Sequence, residues 1–309
     1  MVTRVSTAGN YGSVLVNLMA AQQRQFDAGN RVSSQKNGTD LKGYATKAET
    51  LTAMRTVDRR LTAYSDQNDQ VAAKLGSQDE ALNQVTDAAG AIRQAMADAL
   101  ATDRADTLMQ DINGQFATAT EGLNARYDGK YLFAGGQINT KPVTATTLAD
   151  LTSGPPIASF FTNDQFKAQA KLDDSTTVTT GQLASDMGTA MLTGLQGIQA
   201  FNQGAGGPFN GQLTPAQRTF LENQLASWDQ IRSDLTLKTA QNGLVQKRVE
   251  DVKTNIGVHQ DTLTIMIGHI TDADMAKAAT DLQSAQLSIQ ASAQVFSSLQ
   301  GSSLLNYLK

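Results

Sequence analysis

All five prolines of this 309-residue chain lie between Pro142 and Pro215. Proline lacks a backbone N–H and its ring collides with the preceding turn, so it breaks helix interiors. The sequence on either side of this central segment is therefore free to form long helices, and the centre is not. Both flanks carry the periodicity that long helices need. Met54, Leu61, Asn68, Leu75, Leu82, Ala89 and Met96 recur every seven residues, and Val57, Tyr64, Val71, Gln78, Val85, Ile92 and Ala99 follow three later. On a helix these positions fall on one narrow stripe, which predicts a coiled-coil-like seam. At the helical rise, residues 44–100 would span on the order of 85 Å. Gly76 before Ser77-Gln78-Asp79-Glu80 reads as a C-cap beside a capping box, a place for a kink, although the heptad phase runs through it. A second helix is expected to open near Thr102-Asp103, to carry Leu108, Ile112, Phe116, Ala119, Leu123 and Tyr127 on one face, and to end at Asp128-Gly129.

The other flank mirrors the first. Thr214-Pro215-Ala216-Gln217 places a capping threonine, proline at the first helical position and a glutamine three after the cap. Leu235, Asn242, Val249, Ile256, Leu263 and Ile270 then repeat every seven residues, with Val245, Val252, His259 and Met266 three later. The two stripes define an expected rod core of Leu61, Leu75, Leu82 and Ile92 against Leu235, Val249, Ile256 and Leu263. After Gly268, Thr271-Asp272-Ala273-Asp274 reads as a fresh N-cap with acids at the positive helix end, so the rod is expected to be jointed there.

Between the flanks the chemistry changes. β-branched and Thr-rich runs at Val143–Thr147, Ile157–Phe161 and Ser175–Thr180, with a turn at Asp173-Asp174, predict short strands. A short helix through Met187, Met191, Leu195 and Ile198 and a Gly204–Gly207 loop follow. The expected fold is mainly α: a long antiparallel coiled-coil-like helical hairpin or bundle formed by the two flanks, with a small inserted α+β domain. The expected domains are a terminal assembly domain (1–43 and 271–309), a rod (44–141 and 214–270) and a separable surface insert (142–213).

The two ends are unusual in another way. No charged residue occurs from Val5 to Gln23 or from Leu282 to Leu308. A lone surface helix ordinarily carries Lys, Glu or Arg on its outer face. Here Met275, Leu282, Ile289 and Phe296 fall seven apart, Ala278, Ala285, Ser292 and Leu299 follow by three, and the rest is Gln, Ser, Thr and Ala. Neutral polar flanks can be buried without desolvating a charge, so the reading is a surface covered by other subunits. Leu15, Leu18, Phe26, Met275, Leu282, Ile289, Phe296, Leu299, Leu304 and Leu305 are the expected assembly residues. The stripe centred on Ile289 is expected to be open in the single chain and covered only between chains; an internal helix of an ordinary bundle is the alternative.

Several function classes find no support. The net charge of −4, with Lys and Arg scattered, gives no nucleic-acid footprint. The absence of cysteine removes disulfides, thiolate metal sites and cysteine nucleophiles. No run of 18 apolar residues exists, so no membrane span is expected. The apolar stretch at Val14–Met19 is interrupted by Asn17, preceded only by Arg4 and followed by Gln22-Gln23-Arg24, which does not make a cleaved leader. His259 and His269 lack carboxylates at metal-ligand spacing, and His259 is expected to pack in the seam. Gly204–Gly207 lacks the Lys-Ser/Thr of a phosphate loop, Gly135-Gly136 lacks a nucleotide-binding context, and Asp272 with Asp274 is explained by capping. No catalytic residue, metal ligand or cofactor site is assigned, and the chain is not read as an enzyme.

Other segments carry a family resemblance. Arg4-Val5-Ser6-Thr7, Arg31-Val32-Ser33-Ser34, Ile270 through Ala276 and Gln290-Ala291-Ser292 resemble the ends of bacterial flagellins and their relatives. Asp128-Gly129-Lys130-Tyr131-Leu132-Phe133-Ala134-Gly135-Gly136, running on to Lys141-Pro142, and the ending from Phe296 through Gln300-Gly301-Ser302-Ser303-Leu304-Leu305-Asn306-Tyr307-Leu308 resemble the hook-filament junction branch, hook-associated protein 3. The likeness covers the two flanks and fades in the centre. Gly38-Thr39-Asp40-Leu41 departs from the family's paired acidic motif with proline. The resemblance implies a secreted structural adaptor between hook and filament, outside the cell and exported without a cleaved signal peptide. It implies termini in an inner tube layer, long helices in a rod layer and the centre as exposed surface. The implied partners are copies of itself in a ring, flagellin, the neighbouring hook-associated protein and an export chaperone at the C-terminal region. Flagellin proper and a soluble coiled-coil signalling or scaffold protein are the competing readings.

Overall fold

A computed structural model describes the backbone of residues 3–301 and the side chains of residues 12–298. Its elements are α1 (Thr3–Ser34), α2 (Ala48–Thr102), α3 (Leu108–Leu123), β1 (Arg126–Tyr127), β2 (Lys130–Tyr131), β3 (Gln169–Lys171), β4 (Thr177–Thr179), α4 (Ala184–Gln203), α5 (Pro215–Thr271) and α6 (Met275–Gly301). Short 3-10 turns occupy Leu41–Lys47, Leu148–Thr152 and Ile157–Phe160. The protein is mainly α with a small α+β portion, as the periodicity indicates. The chain divides into two compact units, Met1–Arg60 with Val258–Lys309 and Leu61–Gly257, and α2 and α5 contribute to both.

In the larger unit α2 and α5 run antiparallel. Arg93 pairs with Asp229 at 2.9 Å, Asn242 Nδ2 donates to the Leu75 carbonyl at 2.9 Å, and Lys253 meets Asp69 at 2.7 Å. The heptad seam explains the pairing: Leu75, Leu82, Ile92, Leu235, Val249 and Ile256 are buried, and Leu61 is half-buried. Gly76 does not interrupt α2. A mid-helix glycine costs about 1 kcal/mol, and the helix continues through it with Leu75 and Gln78 buried on either side. α3 folds back onto α2, so close at Gly122 that a β-carbon there would stand 2.8 Å from the Val85 side chain. α4 packs on α5 through Gly194, where a β-carbon would stand 3.2 Å from the Trp228 ring. The start of α5 is the anticipated capping box. Thr214 Oγ1 accepts from the Gln217 N–H at 3.2 Å and Gln217 Oε1 accepts from the Thr214 N–H at 2.9 Å. Gln217 Nε2 also donates to the carbonyls of Gly206 and Pro208, tying the preceding loop to the cap.

The centre of the chain is built into this core. Leu148, Leu151, Ile157, Phe160, Met187, Met191, Leu195 and Ile198 share one apolar cluster with Leu82, Ile92, Phe116 and Trp228.

Several local expectations are corrected. α3 begins at Leu108 because Asp103, at φ 56°, ends α2 and turns the chain. Hydrogen bonds from Gln212 and Arg218 hold the Asp103 carboxyl below its ordinary pKa. α3 stops at Leu123, and Tyr127 lies instead in a two-residue hairpin. Asp128 (φ 49°) and Gly129 (φ 74°) make its mirror-image turn, the conformation that Asp-Gly favours. Ile157–Phe160 is a 3-10 turn; Val143 and Phe161 meet in a single bridge. The Ser175–Thr180 run contributes β4, whose partner β3 (Gln169–Lys171) lay outside the β-branched runs. Helix α2 starts at Ala48, after a kink at Ala45 (φ 44°), and not at residue 44. His259 is exposed and not packed in a seam, and Leu263 is half-buried in the smaller unit.

Candidate assembly surface

In the smaller unit α1 and α6 form an antiparallel pair. Arg31 lies 3.5 Å from Asp281, and Arg24, Asp27 and Ala28 share a groove with Ser284, Ala285 and Ser288. The contact line is made of alanines. Ala21 and Ala28 on α1 are 1% and 2% exposed, and Ala278 and Ala285 on α6 are 2% and 4% exposed. Each pair is seven residues apart, and the small side chains let the two backbones approach closely. Leu18, Leu282, Ile289 and Phe296 flank this line and are half-buried by it.

This corrects the expectation that the α6 stripe stays open until subunits meet. Its Ala278-Ala285 edge is spent inside the chain, and Ile289 is partly covered by α1. The open apolar surface lies around the pair. On α1 it includes Leu15 (51% exposed), Val16 (64%), Met19 (61%) and Phe26 (65%); on α6, Met275 (40%), Leu287 (59%) and Val295 (47%). Leu287 and Val295 lie off the heptad stripe read from α6, and Val16 and Met19 lie beside Leu15 and Leu18 on α1. The signal available for them was the lack of charge from Val5 to Gln23 and from Leu282 to Leu308. Leu299, Leu304 and Leu305 lie outside the described side chains.

The ends of this pair are clasped where α1 and α5 terminate. Gln35 takes φ 56°, the Ala273 N–H donates to its carbonyl at 2.9 Å, and the Asn37 N–H donates to the Thr271 carbonyl at 2.7 Å. Asn37 Nδ2 reaches the carbonyls of Ile270 and Asp272, and Lys36 Nζ lies 2.6 Å from Asp272 Oδ1. Hydrogen bonds from Lys36, then from Thr271, hold the Asp272 carboxyl below its ordinary pKa. Asp274 caps α6, its Oδ1 accepting from the Lys277 N–H at 3.0 Å. Gly38 and Gly43 touch so closely that a β-carbon on either would come within 2.8 Å of the other's backbone. The joint read from Thr271-Asp272-Ala273-Asp274 is therefore a two-stranded clasp between the ends of α1 and α5.

Among the described residues, no three His, Asp or Glu side chains gather to hold a metal ion, and no helix is long and apolar enough to cross a membrane.

Residues 225–308 match the family of the bacterial flagellin C-terminal helical region. That span holds most of α5 and all of α6. No curated protein sequence matches the chain. By structure, the chain is similar to a protein of Vibrio parahaemolyticus described as a flagellar hook-associated protein (TM-score 0.59, 12% identity, covering 73% of this chain and 97% of that one). It is also similar to FlgL of Bacillus cereus (TM-score 0.53, 14% identity, covering 71% of this chain and 99% of that one). The C-terminal helical region thus matches that of flagellins, and the fold is similar to that of the two flagellar structures.

Proposed function

From a C-terminal region of flagellin type and a fold of the hook-associated type, we propose that this chain is a structural protein of the bacterial flagellum that joins hook to filament. It works by self-association through the outer face of the α1/α6 pair. One observation carries this reading: a helical pair whose sequence bears no charge from Val5 to Gln23 and from Leu282 to Leu308 leaves Leu15, Val16, Met19, Phe26, Leu287 and Val295 open to solvent. Exposed apolar surface of this kind marks an interaction site, and neutral flanks let it be buried at no cost in charge desolvation. In this reading residues 1–43 and 271–309 form the layer between subunits, residues 44–141 and 214–270 the rod, and residues 142–213 the outward surface. The partners are other copies, flagellin on one side and a neighbouring hook-associated protein on the other. The chain reaches them outside the cell, by an export route that uses a chaperone at its C-terminal region.

The rival is flagellin proper, and copy position separates the two. Gold-labelled antibody on intact cells is expected to mark one site at the base of each filament. Label along the filament length would transfer the chain to the flagellin reading.

A further inference from the structure

The larger unit holds a second apolar cluster, separate from its main core. Leu75 on α2, Val249, Val252 and Ile256 on α5, and Leu172 from the turn of the β3–β4 hairpin are its buried members. Leu172 is 0% exposed. No residue of α3 or α4 belongs to the cluster. The hairpin therefore closes the α2/α5 seam here.

Its polar contacts are equally specific. Asn68 Nδ2 donates to the Leu172 carbonyl at 3.0 Å, Gln67 Nε2 to the Lys171 carbonyl at 3.0 Å, and Gln78 Nε2 to the Thr180 carbonyl at 3.1 Å. Tyr64 Oη lies 2.9 Å from Asp174 Oδ1. Asn68 and Gln78 sit at seam positions where the heptad calls for apolar side chains. The hairpin backbone explains them: they are its donors. The turn of the hairpin is also held from within, since Asp173 Oδ1 accepts from the N–H groups of Ser175 and Thr176 at 2.7 and 2.6 Å.

We propose that β3–β4 is a strap over the α2/α5 seam that undocks as a unit, exposing the seam while the main core stays closed. The docked state carries its own cost. Asn68 Oδ1 and Gln78 Oε1 are buried without hydrogen-bond partners, and an unsatisfied buried acceptor is unfavourable. Undocking returns both amides to water. Of the strap's apolar side chains in the cluster only Leu172 is fully buried, with Ala170 and Val178 partly buried beside it. Regions of this kind open locally, below the free energy of global unfolding.

The absence of cysteine from the chain makes the test clean. In the full chain, Val249→Cys places a thiol in the seam and, in a separate protein, Ala89→Cys places one in the main core; both positions are 0% exposed. Reaction with a soluble disulfide reagent reports opening at each. Adding Leu172→Ala is expected to speed labelling at position 249 by about 30-fold or more, the equivalent of a large-to-small core substitution, and to leave position 89 unchanged. Equal acceleration at both positions, or at neither, would overturn the strap. Should Leu172→Ala fail to fold, Tyr64→Phe decides. It removes one hydrogen bond and is expected to speed position 249 alone by about 2- to 10-fold; an unchanged rate there, or a matching change at position 89, rejects the proposal.

Discussion

Phe26→Asp is expected to leave the isolated chain folded, with its stability within about 0.5 kcal/mol of the parent, and to abolish its incorporation into flagella. Phe26 is 65% exposed on α1, so a carboxylate there stays hydrated in the single chain. Where a neighbouring subunit covers that face, as proposed, the same carboxylate is desolvated. The penalty is several kcal/mol, and it recurs at every copy of the proposed assembly. On the proposed function, cells carrying the variant are expected to export the protein and to shed unassembled flagellin into the medium. Ile289→Asp behaves differently. Because α1 half-covers Ile289, that substitution acts on the α1/α6 pair itself as well as on assembly, which makes Phe26 the cleaner probe. A fall in the melting temperature of Phe26→Asp, with flagella intact, would place this face in an internal core.

The second large effect is on folding of the larger unit. Trp228 is 0% exposed and lies against Gly194 of α4, in the cluster that joins α2, α3, α4, α5 and the central segment. Trp228→Ala is expected to cost about 3–5 kcal/mol, a loss of roughly 6–20 °C in melting temperature for a unit of this size. The cost is almost wholly lost packing, since the indole Nε1 has no hydrogen-bond partner to forfeit. Thermal unfolding followed by circular dichroism measures it, and a shift below about 2 °C would show that the cluster does not hold the unit together. The same cluster bears on the central segment. Leu148, Leu151, Met187, Met191 and Leu195 are part of this core, so replacing residues 142–213 with a short linker would strip one wall from it, and a purely decorative role for that segment does not fit the packing.

What was legible in the sequence follows from what repeats. The seven-residue spacing named the buried side of α2 and α5, from Leu75 to Ile92 and from Leu235 to Ile256, because long-helix packing imposes that period. Thr214 and Gln217 were legible because a capping box is a local device of four residues. The α5/α6 break was legible through Asp274, whose side chain caps the new helix. The misses are places where a non-local contact overrides a local signal. Asp103 turns the chain because Arg218 and Gln212 reach it from more than a hundred residues away. β3 is too short and too polar to stand out, and exists because it pairs with β4 and docks on α2. Asn68 and Gln78 read as imperfect heptad positions until the hairpin backbone supplies their acceptors. On α6 the stripe through Leu282 and Ile289 was visible, but not which side of it would be taken by α1. That depends on Ala21 and Ala28, whose size alone gives little signal.

The central claim is that the outer face of α1/α6 is covered by neighbouring copies in the flagellum. Solvent access to that face tests it directly. Single cysteines at Phe26 and at Leu287, in a chain that has none of its own, are expected to react with a maleimide in the isolated protein and to be protected in intact flagella. A cysteine at Phe166, 60% exposed in the central segment, is expected to react in both. Equal reaction of all three positions in intact flagella would contradict the account.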